Sequence, residues 1–265
     1  MLFLSPAITI YILTLAFVIG AVMASFLGCL GWRISNGESI LRGRSHCDAC
    51  GHPLKGRDLI PILSYMMRKG RCAYCNQPIP KSTVYGELLL AVTFVLTTLR
   101  FDVTWECLMM LMFISILYLV AMVDIYTRII PDSALALAIV IRLLYFFLVE
   151  GFSLGKIIVL LLDGLSISLP LLIVVLLMEK VLKKEAMGGG DIKLLFVIGL
   201  FVGWEKNMLC ILLACILGII GGYIQIRNEE SKYFAFGPYL AASAVLSLLV
   251  GDAVIGWYMS LLMGK

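Results

Sequence analysis

The sequence predicts an all-α polytopic membrane protein of about eight transmembrane helices, with a small polar insert between the first helix and the second. Composition is the first observation: the 265 residues are 62% hydrophobic and 14% charged, whereas soluble domains average about 45–50% apolar and about 25% charged residues. The second observation is that the apolar residues stand in long blocks, which a bilayer solvates. The third is that Lys and Arg are concentrated between those blocks.

The apolar blocks occupy residues 7–30, 84–99, 104–123, 133–149, 157–178, 188–202, 207–226 and 236–262, the last with an interruption near Gly251 and Asp252. Most of them approach the roughly 17–25 residues that a spanning helix needs, but the second and the sixth are short. The sixth begins in a glycine run, so a broken or re-entrant helix is the alternative there.

The distribution of basic residues predicts the orientation of the chain. Residues 1–6 contain no Lys or Arg, and the first basic residue, Arg33, follows the first apolar block. With the N-terminus outside, the inner loops are residues 31–83, 124–132, 179–187 and 227–235. These loops hold 15 Lys and Arg, against four in the outer loops and tail, as the positive-inside rule requires. A nucleic-acid patch or a contact with anionic lipid is the alternative for the first loop, and we expect no nucleic-acid partner.

Three parts follow from this topology. Residues 1–31 form the first transmembrane helix, residues 32–83 form a cytoplasmic insert, and residues 84–265 form a transmembrane helix bundle. The block pattern has no repeat period of the kind that marks solenoid arrays.

The insert carries two C-x-x-C pairs, Cys47 with Cys50 and Cys72 with Cys75. Two thiolates three residues apart chelate one face of a tetrahedral ion, and a second pair closes the other face. Four sulfur ligands favour structural Zn²⁺, so the sequence predicts a zinc-binding insert. A redox dithiol and an iron–sulfur cluster are the alternatives. The remaining cysteines lie in apolar blocks and are expected to be small buried hydrophobes.

Two acidic residues, Asp124 and Asp191, lie at ends of apolar blocks on the predicted inner face. A carboxyl group at a membrane boundary is costly and is therefore a candidate functional group. Two carboxylates that share a site do not both ionise cheaply, so one activates a water while the other holds a proton. The sequence predicts that these two are the catalytic pair of a peptidase.

Other roles are open for these acids. Aspartates at helix ends often cap the helix, and Asp132, after Pro131, fits that role well. In an ion or proton transporter, Glu87 and the two aspartates would serve ion passage. In a non-catalytic membrane scaffold, the insert would bind a partner instead.

The chain resembles the type IV prepilin peptidase family over nearly its whole length. The residues that carry the resemblance are 24–27, 47–53, 58–65, 69–75 with 78–79, 87–89, 124 with 130–132, the Gly-Gly-Gly-Asp run at 188–191, and the Phe-Gly-Pro-Tyr run at 236–239. The glycine–aspartate run is shared with other membrane peptidases, whereas the ordered set including the cysteines is specific. Many relatives have a second acid two positions after the first aspartate, where this chain has Tyr126.

The resemblance implies a bifunctional enzyme of the bacterial cytoplasmic membrane with its active site at the cytoplasmic face. Its activity would be to remove the short basic leader of type IV prepilins and pseudopilins after a glycine, and to methylate the new N-terminus with S-adenosylmethionine. Carried over to this chain, Asp124 and Asp191 are catalytic, and Cys47, Cys50, Cys72 and Cys75 bind zinc. No residue is assigned to the methyl donor, and the oligomeric state is not implied.

Overall fold

The computed structural model describes residues 5–39, 43–183, 187–227 and 235–263. Within these ranges the chain is helical and contains no extended strand. The helices are α1 (Pro6–Ser35), α2 (Leu63–Met67), α3 (Lys81–Phe101), α4 (Trp105–Thr127), α5 (Asp132–Tyr145) with a π-helical turn (Phe146–Glu150), α6 (Leu154–Leu182), α7 (Gly189–Val202), α8 (Trp204–Arg227) and α9 (Gly237–Leu262). Four of the basic residues that set the predicted orientation, Arg42, Lys184, Lys232 and Lys265, lie outside the described residues.

Seven helices of the described chain are long and apolar enough to cross a membrane: α1, α3, α4, α5 with its π-helical turn, α6, α8 and α9. In each, only 17–56% of the most apolar window is buried within the protein, so many apolar side chains face outwards, where a bilayer solvates them. The predicted all-helical membrane fold is confirmed. The sixth apolar block forms α7, whose 14 residues extend about 21 Å against a hydrocarbon core of about 30 Å. Among the described residues, seven of the eight predicted blocks therefore form helices that can span a membrane, and the sixth forms a helix too short to do so.

One local prediction is wrong: Asp132 is the first residue of α5 rather than its cap, and Pro131 occupies the cap position. The interruption of the last apolar block at Gly251 and Asp252 does not break α9, which is continuous through both residues. Nζ of Lys206 pairs there with Oδ2 of Asp252 at 2.9 Å.

The chain divides into two compact units, Met1–Leu111 and Met112–Lys265. In the first unit, α1 packs against α3 through small residues. A methyl group at Gly20 would lie 2.8 Å from the Cα of Ala91, so the backbones of the two helices are in direct contact. Close approach of this kind is how small residues associate helices in a membrane.

In the second unit, α7 is surrounded by α5, α6, α8 and α9. Eight of its 14 residues are buried, and its Gly199 lies where a methyl group would approach the carbonyl oxygen of Asp163 to 2.5 Å. The ring of Phe201 stacks on Phe113 of α4 at a centroid distance of 3.9 Å. The short helix is thus the core of this unit.

Candidate active site and metal centre

Asp124 lies in the last turn of α4, and its side chain is buried. Its Oδ2 accepts a hydrogen bond of 3.0 Å from the backbone N–H of Gly237, the first residue of α9. The N-terminus of a helix carries a partial positive charge and unpaired N–H donors, which favour a negatively charged partner. The structure therefore provides a hydrogen-bond donor for the ionised form of Asp124.

Glycine is the only residue type that position 237 accommodates without a clash with Asp124. A Cβ at position 237 would lie 2.6 Å from Oδ2 of Asp124 and 3.0 Å from its Cγ. Any side chain there would displace the carboxylate from the N–H that it accepts. This residue belongs to the Phe-Gly-Pro-Tyr run, to which sequence reasoning gave no role.

Asp191 is the third residue of α7, and its backbone N–H donates to the carbonyl oxygen of Gly188 at 3.1 Å. Its carboxylate lies within electrostatic range of that of Asp124. The structure thus places in one part of the bundle two acids that are 67 positions apart in the sequence.

The three glycines before Asp191 have different surroundings. A Cβ at Gly188 would lie 3.3 Å from Oδ2 of Asp191, and one at Gly190 would lie 3.1 Å from the Cβ of Ile130. Nothing lies within 4 Å of the corresponding position at Gly189. A side chain at Gly188 or Gly190 would therefore crowd Asp191 or Ile130, whereas a side chain at Gly189 would meet no neighbour.

Asp191, at the start of α7, lies beside the middle of the neighbouring helix α6 and not beside its end. Leu172 of α6 and Ile192 of α7 line one apolar cavity of about 370 Å³, so they are at a similar height in the bundle. Helix α6 continues from Leu172 to Leu182, about 15 Å farther at 1.5 Å per residue. This continuation exposes a set of large apolar side chains: Ile173, Val174, Leu176, Leu177, Val181 and Leu182. The start of α7 is accordingly recessed below the end of α6.

The two members of an ion pair also line this cavity. Nζ of Lys193 lies 2.8 Å from Oδ1 of Asp132, and both side chains are largely exposed. The pair joins the first turns of α5 and α7, which run in the same direction.

The opposite end of α7 is held by polar contacts from neighbouring helices. Nε of Arg142 in α5 donates to the carbonyl oxygen of Leu200 at 2.8 Å, and its Nη1 pairs with Oε1 of Glu150 at 2.8 Å. Oδ1 of Asp163 in α6 accepts the N–H of Trp204, the first residue of α8, at 3.2 Å. Sequence reasoning assigned no role to Arg142 or Asp163, because neither belongs to a local motif.

The four cysteines of the insert form one cluster. The Sγ atoms of Cys47, Cys50, Cys72 and Cys75 all lie within 4.8 Å of one another, and those of Cys47 and Cys75 are 3.9 Å apart. A tetrahedral ion with bonds of about 2.3 Å to sulfur places its ligands about 3.8 Å apart. The cluster has the size that a zinc ion requires.

The two C-x-x-C pairs are built alike. The N–H of Cys47 donates to the carbonyl oxygen of His52 at 3.0 Å, and that of Cys72 donates to Gln77 at 2.9 Å. Each turn then places one residue, Gly51 or Asn76, at a positive φ, which glycine and asparagine tolerate best. The same loop geometry thus presents both pairs of thiols to one point.

The backbone also favours a thiolate at Cys72. The N–H of Tyr74 donates to its Sγ at 3.5 Å, and together with the N–H of Cys75 and the neighbouring thiols it lowers the pKa of this thiol to about 7. A ligand thiol must lose its proton to bind a metal, so this contact assists binding. His46 lies edge-on to Trp32 and His52 stacks on Tyr74, and neither belongs to the cluster.

Glu87, the acid that a transporter would use, already has a structural partner. It is buried in α3, and its Oε2 accepts the N–H of Ile62 at 2.7 Å. The carboxylate thereby ties the insert to the helix that follows it.

Two family profiles cover most of the chain. Residues 18–101 match the bacterial peptidase A24 N-terminal domain, and residues 111–223 match the type IV leader peptidase family. A prepilin leader peptidase/N-methyltransferase from Aeromonas hydrophila is 34% identical over 221 residues, which are 82% of this chain and 75% of that protein. The chain belongs to the type IV leader peptidase family.

Other members of this family show the same similarity. The prepilin leader peptidase/N-methyltransferase of Bacillus subtilis is 30% identical over 266 residues, which cover 95% of this chain and 100% of that protein. The protein of that name from Pseudomonas aeruginosa is 34% identical over 220 residues, or 81% of this chain and 74% of the relative. No solved structure matches the chain.

The family is one of aspartic proteases, so the prediction that the chain is a peptidase is confirmed. It is a type IV leader peptidase whose described residues include seven helices able to span a membrane, and it is therefore a multi-pass bacterial membrane protein. Asp124 and Asp191 fall within the matched peptidase region, and the four clustered cysteines fall within the matched N-terminal domain.

Proposed function

We propose that this leader peptidase is an aspartic endopeptidase that removes the basic leader of type IV prepilins and pseudopilins after a glycine. Asp124 and Asp191 are its catalytic pair. The observation that supports the proposal is that these two acids lie within electrostatic range of each other in the region that matches the family. The names of the relatives support the choice of prepilins as substrates.

The surroundings of the two carboxylates support different roles for them. Asp124 accepts the N–H at the start of α9, which favours its ionised form and makes it the general base. Asp191 lies within electrostatic range of that negative charge, and one of two acids that share a site keeps a proton. Asp191 is therefore the general acid of the first step.

In the first step, Asp124 takes a proton from a water while the water oxygen attacks the scissile carbonyl carbon. Asp191 gives its proton to the carbonyl oxygen, so that a neutral tetrahedral diol forms. In the second step, Asp124 returns its proton to the amide nitrogen as the C–N bond breaks. Asp191 recovers a proton from the diol, and the pair is ready for another substrate.

The charge of the substrate supports the orientation of the reaction. A basic leader is retained on the cytoplasmic side by the same rule that orients the loops of the enzyme. The apolar segment after the leader lies in the bilayer, so the junction between them reaches the inner half of the membrane. We therefore place the active site on the cytoplasmic side.

We also propose that the four cysteines hold a structural zinc ion, and that the enzyme methylates the new N-terminus. Four thiolates leave no open position on the ion, so its contribution is to fold an insert with little core of its own. S-adenosylmethionine would supply the methyl group, as the N-methyltransferase names of the relatives suggest. Among the described residues, no set of side chains has a chemistry that identifies a site for this cofactor.

Incubation with a prepilin peptide, followed by mass spectrometry, tests the proposal. We expect the native enzyme to release the leader and to add one methyl group when S-adenosylmethionine is present. Asp124→Asn and Asp191→Asn, at unchanged protein level, should each abolish cleavage. Cleavage by either variant in purified form would disprove the catalytic pair, and ion flux in proteoliposomes without cleavage would favour a transporter.

A further inference from the structure

The insert contains an apolar segment, residues 59–67, that the zinc cluster does not use. Five of its nine residues are large, apolar and exposed: Leu59, Ile60, Leu63, Met66 and Met67. Met66 and Met67 are 67% and 83% exposed. Contiguous exposed apolar surface of this kind marks an interaction site.

The structure fixes the height of this segment beside a spanning helix. Ile62, in its centre, donates its N–H to Glu87 of α3. Glu87 lies six residues after Lys81, where α3 begins, which is about 9 Å along the helix axis. The neighbouring side chains of α3, those of Tyr85, Leu88 and Leu89, are exposed and face lipid in a spanning helix. The segment therefore lies at the level where α3 enters the bilayer.

The backbone of the segment adopts an unusual conformation at Ile62. Ile62 has a φ of 62°, which is sterically unfavourable for a β-branched residue. Its hydrogen bond to the buried Glu87 holds the chain in that turn. Helix α2 (Leu63–Met67) begins directly after it and carries three of the exposed apolar residues.

The flanks of the segment are basic. Lys55 and Arg57 precede it, Lys69 and Arg71 follow it, and all four are exposed. The one acidic residue between these cations, Asp58, pairs with Arg68 and accepts a hydrogen bond from the hydroxyl group of Tyr74. Apolar side chains between exposed cations are the composition of interfacial membrane anchors, and the cations are attracted by anionic headgroups.

We propose that residues 59–67 insert into the headgroup region of the anionic leaflet from which α3 emerges. The partner is phospholipid, with anionic headgroups at the basic flanks and acyl chains at Met66 and Met67. This inference depends on the chain being membrane-embedded and not on its peptidase activity. It assigns to the insert a lipid contact in addition to its cysteine cluster.

Site-specific photo-crosslinking in the full-length protein tests this contact. The photoreactive residue p-benzoylphenylalanine replaces Met67 in one variant and Gln77, an exposed polar position of the same insert, in the control. Both are reconstituted in vesicles of phosphatidylcholine mixed with phosphatidylglycerol and irradiated. We expect a phospholipid mass adduct at position 67, several-fold more abundant than at position 77. Omitting phosphatidylglycerol should lower the yield at position 67.

The same measurement in the Asp191→Asn background separates this inference from the proposed catalysis, because the lipid adduct should be unchanged there. Replacing both Met66 and Met67 by Glu should reduce the adduct at Leu63 when that position carries the photoreactive residue, while the zinc content is retained. Equal labelling at positions 67 and 77, or crosslinks from position 67 to a prepilin or to another part of the chain instead of lipid, would overturn the proposal.

Discussion

The backbone N–H of Gly237 donates a hydrogen bond of 3.0 Å to Oδ2 of Asp124, across 113 positions of sequence. The glycine brings a helix N-terminus to a buried carboxylate, and its missing side chain is what permits the contact. This relationship distinguishes the two acids of the site, because no corresponding donor reaches Asp191 among the described contacts. It leads directly to the first prediction.

Gly237→Ala is expected to lower kcat for leader removal by about 10²-fold, the effect of displacing a reacting group by about 1 Å. The KM for a prepilin peptide should change little, because the substitution displaces a group that acts in the chemical step. Gly256→Ala, in the same helix with nothing within 4 Å of the added methyl group, is the matched control and should retain activity. Equal activity of both variants would show that the Gly237 contact is not needed.

The three glycines before Asp191 are predicted to differ in their tolerance of alanine. Gly189→Ala should retain activity, because its methyl group meets open space and alanine stabilises a helix relative to glycine by about 0.5–1 kcal/mol. Gly188→Ala and Gly190→Ala should lose most activity, since their methyl groups crowd Asp191 and Ile130. Cleavage assays on the three purified variants check this order, and a loss confined to Gly189→Ala would contradict it.

The cysteine cluster predicts the metal content of the purified protein. We expect about one zinc ion per chain by elemental analysis, as a closed four-sulfur site binds a single ion. Replacing Cys47 and Cys72 by Ser should remove the zinc and make the insert sensitive to proteolysis. Cys215→Ser, outside the cluster and exposed, should change neither property. Iron in place of zinc, or zinc retained by the double variant, would refute the assignment.

The polar contacts at the far end of α7 predict a stability effect distant from the catalytic pair. Arg142→Ala leaves the buried carbonyl of Leu200 without its donor, at a cost of about 1–3 kcal/mol. The thermal unfolding temperature in detergent should fall accordingly. Lys156→Ala removes an exposed cation near the same Glu150 and should leave that temperature nearly unchanged. A similar decrease in both variants would mean that Arg142 acts only through its charge.

The sequence predicts the parts of this site that depend on local spacing. The two C-x-x-C pairs predict the cluster because each pair forms one compact turn, and the structure brings all four thiols together. The aspartates are found because a carboxyl group is rare at the end of an apolar block. In both cases the informative residues are neighbours in the chain.

Contacts between distant helices are not predicted in this way. Nothing near Gly237 indicates that its N–H meets Asp124, and nothing near Arg142 indicates the carbonyl of Leu200. Both depend on how helices pack, which hydropathy does not report. The same is true of Asp252, which interrupts an apolar block and whose pairing with Lys206 of α8 is not indicated by any nearby residue.

The shortness of α7 bears on the water that the proposed hydrolysis would consume. Because α6 continues about 15 Å beyond Leu172, Asp191 at the start of α7 lies below the end of its longer neighbour. Water and substrate would then have to approach the proposed catalytic pair from the same side, the one on which α7 begins.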